Sequence, residues 1–253
     1  MNELDFAGRR AIITGAASGI GAATARWLDG HGIGELVLLD QDLAGLDALD
    51  LRCAVQRIAG DVADPSVWTA LMPLLEGLDH AVLNAGIAGA GKPILELSDA
   101  DWRRTVGINL DGVFFGLRAA MQAMNGRGGS IAIVASVAAV RANASADYGA
   151  TKAAVAHMAK IAAREGGPLG IRVNAIAPGG VDTPIWDGTP RFSKQVERFG
   201  TREAAIIEFG KFGNPLGRFA TADEIAGQIG FLLSDMAATI TGAVLVSDGG
   251  LSV

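Results

Sequence analysis

The chain has 253 residues, among them 35 Gly, 8 Pro, 1 Cys and a single tyrosine. Half of it is hydrophobic, and 21 basic against 27 acidic side chains leave a formal net charge of −6 at pH 7. This composition excludes a disordered chain, and the absence of a basic excess or a Lys/Arg-rich run excludes a nucleic-acid surface.

The start, Met1-Asn2-Glu3-Leu4-Asp5, has neither a basic nor an apolar leader segment. The longest run free of Asp, Glu, Lys and Arg covers 11–25 and is too short and Gly-rich to span a bilayer. Cys53 has no partner for an internal disulfide, which fits a reducing compartment. The expectation is a soluble, cytoplasmic protein.

In chain order, a strand predicted over 11–14 leads to a helix over 20–29, and strands over 35–40 and 54–58 follow. A helix over 65–76 precedes a strand over 80–83, and a long helix over 99–124 precedes a strand over 130–135. A helix over 148–165, a strand over 171–176, a helix over 222–234 and a strand over 243–246 complete the chain. Ser98 with Asp101 and Thr221 with Glu224 read as caps of the third and last helices. The strands are near-continuous apolar runs, the mark of parallel strands covered on both faces. The alternation implies one α/β domain over 1–253, a doubly wound seven-stranded parallel sheet with helices on both faces. Only 184–215 breaks the rhythm, as an insertion holding Trp186, Phe192, Phe199, Phe209 and Phe212.

Strand one runs into Thr14-Gly15-Ala16-Ala17-Ser18-Gly19-Ile20-Gly21 and then a helix. Such a turn lets backbone N–H groups approach a pyrophosphate at the positive end of the helix. Asp40 closes the next strand 19 residues after Gly21, where a carboxylate accepts hydrogen bonds from an adenosine ribose. The same charge repels a 2′-phosphate, and no Arg or Lys lies in 16–25 or immediately after Asp40. NAD is therefore favoured over NADP.

Strand five ends at Ser136, and a helix opens with Tyr148-Gly149-Ala150-Thr151-Lys152. Residues four apart share a helix face, so phenol and ammonium can point into one site. A tyrosine pKa near about 10 makes a poor base, and a nearby cation typically lowers it by about 1–3. Ser136, at the carboxyl edge of its strand, lies where open α/β sheets bind ligands and can hold the oxygen that changes protonation.

Taken in order, these residues resemble a short-chain dehydrogenase/reductase of the single-domain group, over essentially the whole chain. Gly15, Ser18, Gly19, Ile20 and Gly21 fall in the stretch that resembles the family's cofactor turn, Asp61-Val62 its adenine contact, and Asn84-Ala85-Gly86 the motif that steadies strand four. Asn109, Ser136, Tyr148 and Lys152 resemble its catalytic tetrad. Pro178-Gly179-x-Val181-x-Thr183 resembles the loop holding the nicotinamide carboxamide, and Ile240-Thr241-Gly242 through Asp248-Gly249-Gly250 its C-terminal signature. Leu83 stands where many members have a second asparagine. Eleven residues separate Ser136 from Tyr148, one fewer than the usual spacing, and Ser145 is a second hydroxyl nearby.

The resemblance implies a Rossmann fold and hydride transfer between a substrate carbinol carbon and nicotinamide. Tyr148 would exchange the hydroxyl proton while Ser136 orients the oxygen. Lys152 would bind the nicotinamide ribose and tune Tyr148, and Asn109 would support a relay water. It also implies a homotetramer or homodimer. Gly112, Gly116, Ala119, Ala120, Ala153, Ala154 and Ala156 suit close helix contact between subunits or packing on the sheet. The insertion at 184–215 falls where the family carries its substrate lid. Its aromatics point to an apolar alcohol or ketone (steroid-like, aryl or aliphatic) or to packing within the lid. Arg191, Lys194, Arg198, Arg202 and Lys211 suit a substrate carboxylate or a solvated face, and Arg141 and Asn143 face substrate or solvent. Rival readings are a 3-oxoacyl-(acyl-carrier-protein) reductase and a non-catalytic NAD-sensing protein. His31, His80 and His157 lack metal-ligand spacing.

Overall fold

The structure, a computed structural model, describes residues 4–212 and 214–253. Met1, Asn2 and Glu3 of the start read above, and Gly213 of the insertion, lie outside the described residues. The strands are β1 (Arg10–Thr14), β2 (Glu35–Asp40), β3 (Ala54–Ala59), β4 (His80–Leu83), β5 (Gly129–Val134), β6 (Ile171–Pro178), β7 (Val181–Asp182), β8 (Ala220–Thr221) and β9 (Val244–Ser247). The helices are α1 (Gly19–Gly30), α2 (Leu43–Asp47), α3 (Pro65–Leu71), α4 (Asp99–Val106), α5 (Gly112–Met124), α6 (Ala146–Gly166), α7 (Pro190–Phe199), α8 (Arg202–Lys211) and α9 (Ala222–Leu233).

Seven strands pair in parallel in the order β3-β2-β1-β4-β5-β6-β9. Along β1, Ile12 enters the core that holds Trp68, Leu117 and Val155, while Ile13 enters the opposite core with Leu28, Ile225 and Ile229. Both faces are therefore buried, which is why these strands read as unbroken apolar runs. The strand order reverses between β1 and β4, and such a reversal opens a crevice at the carboxyl ends of the strands.

All seven expected strands are present, with ends moved by at most two residues. Both caps form: Ser98 accepts the Asp101 amide, and Thr221 and Glu224 close a reciprocal box. The helix expected over 99–124 is α4 and α5 joined by a π-helical turn, Gly107–Asp111, in which the Gly112 amide donates to the Gly107 carbonyl. The helix expected over 65–76 ends as α-helix at Leu71 and tightens into a 3-10 turn, Met72–Leu75, that contains Pro73. Proline has no N–H for the helical ladder there. The parallel pair β7–β8 and the short α2 were not expected.

Helices α7 and α8 build the insertion around their own small core of Phe192, Ala205 and Ile206. The small residues of α5 are largely spent inside the chain. Gly112 sits against Val62, and Gly116 against Leu83 and the Trp68 ring.

Gly230 of α9 lies flat on the Trp27 indole of α1, where an added Cβ would fall 2.2 Å from a ring carbon. Gly230→Ala is expected to lower stability by about 1–3 kcal/mol, measured as a lower urea midpoint with an unchanged denaturant slope.

Candidate active site

Strand β1 delivers Thr14 to the crevice, and the chain turns sharply at Gly15, which has φ +65°. The Gly15 amide donates to the Leu39 carbonyl at 2.9 Å. A Cβ on Gly15 would lie 2.8 Å from Ala85 Cα, and one on Gly21 would lie 2.0 Å from the Gly15 carbonyl oxygen. Only hydrogen fits at either position. The Ser18 side chain makes no capping bond at the head of α1, so the first-turn amides stay available to an anion. Residues present at this turn therefore fit a dinucleotide pyrophosphate.

The turn opens onto a cavity of about 1100 Å³, above the roughly 300–1,000 Å³ usual for small-molecule sites. Gly15, Ser18, Gly19, Ile20, Asp40, Asp61, Val62, Asn84, Gly86, Pro178, Gly179, Val181 and Thr183 line it together with Ser136, Tyr148 and Lys152. Two expected residues lie behind the wall. Gly21 packs under Gly15, and buried Asn109 lies in the π turn. The Asn109 amide is committed: its Oδ1 accepts the Ile87 N–H at 2.9 Å, and its Nδ2 donates to the Ile87 carbonyl at 3.0 Å.

Asp40 accepts the amides of Ala17 at 2.9 Å and Asp42 at 3.1 Å, one on each oxygen. Each oxygen keeps a further lone pair for a ligand hydroxyl. Asp61 Oδ1 accepts the Ala63 amide at 2.9 Å. Asn84 donates to the carbonyls of Thr14 and Gly15 at 3.0 and 3.1 Å. Gly19 meets Thr183, whose Cβ would lie 3.2 Å from an added Cβ, so the glycine turn and the 178–183 loop close on one another.

Lys152 is 4% exposed, and its Nζ donates to the Val134 carbonyl at 2.9 Å and lies 5.7 Å from the centre of the Tyr148 ring. Burial pushes the ammonium down from 10.5 to about 8. Burial pushes the Tyr148 phenol up, against a smaller opposing pull from the Ser136 hydroxyl. The lowering expected of Tyr148 from its lysine is not found: burial raises the phenol, and the opposing pull comes from Ser136 alone. Ser136 also accepts the Ala138 amide at 3.2 Å, and the nearby hydroxyl of Ser145 stands at the N-cap of α6, a residue that lines the cavity too.

Above this floor the walls are aromatic. Trp186, Phe209, Phe212 and Phe219 line the cavity, with Trp186 stacked on Phe219 at 5.4 Å between ring centres. Phe219 lies outside 184–215 and was not expected; no spacing marks it, and only the β7–β8 pairing brings it in. The aromatics of the 184–215 insertion serve both readings, since Phe192 is buried in the insertion's own core while Phe212 is 68% exposed at the cavity. Arg202 pairs with Asp182 and Asp187, and Lys211 with Glu208. Arg191 lines the cavity over the Phe209 ring, and Arg141 and Asn143 face the cavity as well.

The depressed Lys152 amounts to about 3 kcal/mol against the buried ammonium. That cost is fully present below about pH 8 and fades as the pH rises toward 10.5. Lys152→Met is therefore expected to gain stability relative to the unaltered ligand-free protein at pH 7, and the gain should shrink toward pH 10 in urea melts.

A family model described as enoyl-(acyl carrier protein) reductase matches residues 15–252. Cis-4-hydroxycyclohexanecarboxylate dehydrogenase of Sinomonas cyclohexanicum is 40% identical, over 97% of this chain and 97% of that protein. Levodione reductase of Leifsonia aquatica is 37% identical, over 98% of this chain and 95% of its own. The crystal structure of L-sorbose reductase from Gluconobacter frateurii, complexed with NADPH and L-sorbose, superposes with a TM-score of 0.90 at 29% identity, covering 98% of each chain. Among the described residues no helix is long and apolar enough to cross a membrane. With that family model over nearly its whole length, the chain belongs to the short-chain dehydrogenase/reductase family and is an oxidoreductase that acts on CH–OH groups with a nicotinamide cofactor.

Proposed function

We propose that the protein interconverts an apolar, ring-bearing secondary alcohol and its ketone with NAD(H), using Tyr148 as the proton carrier. The observation that carries this reading is the meeting of Ser136, Tyr148 and Lys152 in one cavity with the glycine turn and Asp40. Gly15, Ser18, Gly19, Ile20 and Gly21 would cradle the pyrophosphate. Asp40 would hold the adenosine ribose, and Asp61 and Val62 the adenine. Asn84 and Gly86 would form the floor beneath, while Pro178, Gly179, Val181 and Thr183 would hold the carboxamide end. A bound oxidised dinucleotide supplies the hydride acceptor and a positive charge.

Tyr148 takes the hydroxyl proton of the alcohol, or returns it to the ketone oxygen. Ser136 holds that oxygen. Lys152 has two N–H donors beyond its Val134 bond; these would hold the nicotinamide ribose, and its charge would favour phenolate. Asn109 fixes the Ile87 backbone and so supports the stretch past which a water relays the proton outward.

NAD is the proposed cofactor because the half-buried Asp40 carboxylate would meet a 2′-phosphate, and Gln41 rather than a cation follows it. The substrate is proposed from the aromatic walls. Arg191, held over Phe209 without a carboxylate partner among the described residues, suits a ring that also bears an acid group. Two relatives whose names specify hydroxycyclohexanecarboxylate support this choice. The outward side chains Trp102, Phe114 and Ile161 of α4, α5 and α6 are 41%, 43% and 50% exposed and support a homo-oligomer, a tetramer or dimer, through those helices. Sedimentation velocity at micromolar concentration is expected to show it, and a monomer would refute it.

The test is turnover of a panel of cyclic, aryl, steroid-like and acyl-thioester substrates with each dinucleotide. Faster turnover of the cyclic alcohols with NAD is expected; an NADP preference would remove the role given to Asp40. Tyr148→Phe is expected to keep NADH binding while losing about 10²–10⁴-fold in kcat, and substantial residual turnover would remove Tyr148 from its role.

A further inference from the structure

Asp147 is a carboxylate that the reaction does not use, yet it is wholly buried beside Tyr148 in the first turn of α6. An acid in that turn ordinarily faces the free amides of its own helix. Asp147 reaches outward instead. Its Oδ2 accepts the Ala90 N–H at 2.8 Å and the Thr105 hydroxyl at 2.9 Å. Gly89, just before Ala90, is pressed against it as well, because a Cβ there would lie 2.5 Å from Oδ1.

All these partners are neutral. Burial pushes the carboxyl up, but hydrogen bonding, led on the geometry by the Ala90 N–H and the Thr105 hydroxyl, outweighs it and holds Asp147 below its ordinary value, while Oδ1 has no hydrogen-bond partner among the described residues. A buried charge without a counter-ion is expensive unless several donors hold it, and hydrogen bonds to a charged acceptor are the stronger ones. Here the donors come from two places, the loop after β4 that forms a cavity wall and helix α4, while the carboxylate itself sits on the helix that carries Tyr148. One carboxylate joins them.

We propose that Asp147 is a positioning residue for Tyr148: by binding the Gly89–Ala90 loop and Thr105 to the first turn of α6, it sets the direction in which the phenol meets Ser136. The inference rests on the reading of Tyr148 as proton carrier. It adds a residue that touches neither substrate nor dinucleotide, and a link between the cavity wall and the reacting group.

The experiment compares Asp147→Asn, Thr105→Val, Thr105→Ser and the Asp147→Asn/Thr105→Val double variant with the unaltered enzyme and Tyr148→Phe. It reads kcat with the best alcohol of the panel and the NADH dissociation constant from tryptophan fluorescence. Asp147→Asn should lose about 10–100-fold in kcat, as expected for a small misplacement, with NADH affinity within about twofold. Thr105→Val should lose less, Thr105→Ser should restore kcat, and the double variant should be no worse than Asp147→Asn because the two act in one network.

The proposal is overturned if Asp147→Asn and Thr105→Val keep kcat within about twofold while Tyr148→Phe is inactive. It is equally overturned if kcat and NADH affinity fall in parallel, the mark of a purely structural role. Should Asp147→Asn fail to fold, the Thr105→Val and Thr105→Ser pair decides in the same terms. Turnover surviving in Tyr148→Phe would instead defeat the reading of Tyr148 itself.

Discussion

Four hydrogen bonds tie the end of β1 to the end of β4, and the open edge of the sheet depends on them. The Thr14 hydroxyl accepts the amides of Asn84 and Ala85, each at 3.0 Å, and the Asn84 side chain donates to the carbonyls of Thr14 and Gly15. Strands β1 and β4 pair only through three residues each, Ala11–Ile13 with His80–Val82, so beyond them side chains must hold the two ends together. That lock fixes Gly15 against Ala85, and Gly15 in turn leaves room for Gly21 and the start of α1. From the same lock the chain continues through Gly86 to Ile87, where Asn109 takes over, and to Ala90, where Asp147 does. The phosphate-binding turn and the wall beside Tyr148 are thus two ends of one hydrogen-bonded strip.

The floor of the cavity is electrostatically unfavourable in the ligand-free chain. A buried lysine and a half-buried tyrosine sit there, the first pushed down to about 8 and the second up by desolvation. Desolvation therefore opposes both charged forms, and opposite charges or hydrogen-bond donors brought close can reverse that preference. Such a site keeps the phenol protonated on its own, while the ammonium, at about 8, stays mostly charged at neutral pH. It also explains why the lysine at i+4 alone does not lower the phenol, although the sequence spacing places the two on one face.

Much of the fold was legible because its signals are periodic or tied to backbone constraint. Unbroken apolar runs such as 36–39 mark strands with two buried faces, and Gly15, Gly19 and Gly21 mark places where a side chain has no room. Ser98 and Thr221 announced helix starts through their own hydrogen bonds. What was not legible depends on distance in the chain. Phe219 joins Trp186 only because β8 pairs with β7, each two residues long. The π turn at Gly107–Asp111, which turns Asn109 toward Ile87, leaves no mark in an otherwise helical pattern. Asp147 resembles an ordinary first-turn acid until Thr105, 42 residues away, is seen beside it.

The chain's single tyrosine makes the central claim directly measurable, since any phenolate absorbance comes from Tyr148. The decisive measurement is the pH titration of that absorbance with and without saturating NAD. In the free protein the midpoint is expected above the ordinary tyrosine value of about 10, and it should move to clearly lower pH when NAD is bound. A midpoint that stays the same in both states would contradict it.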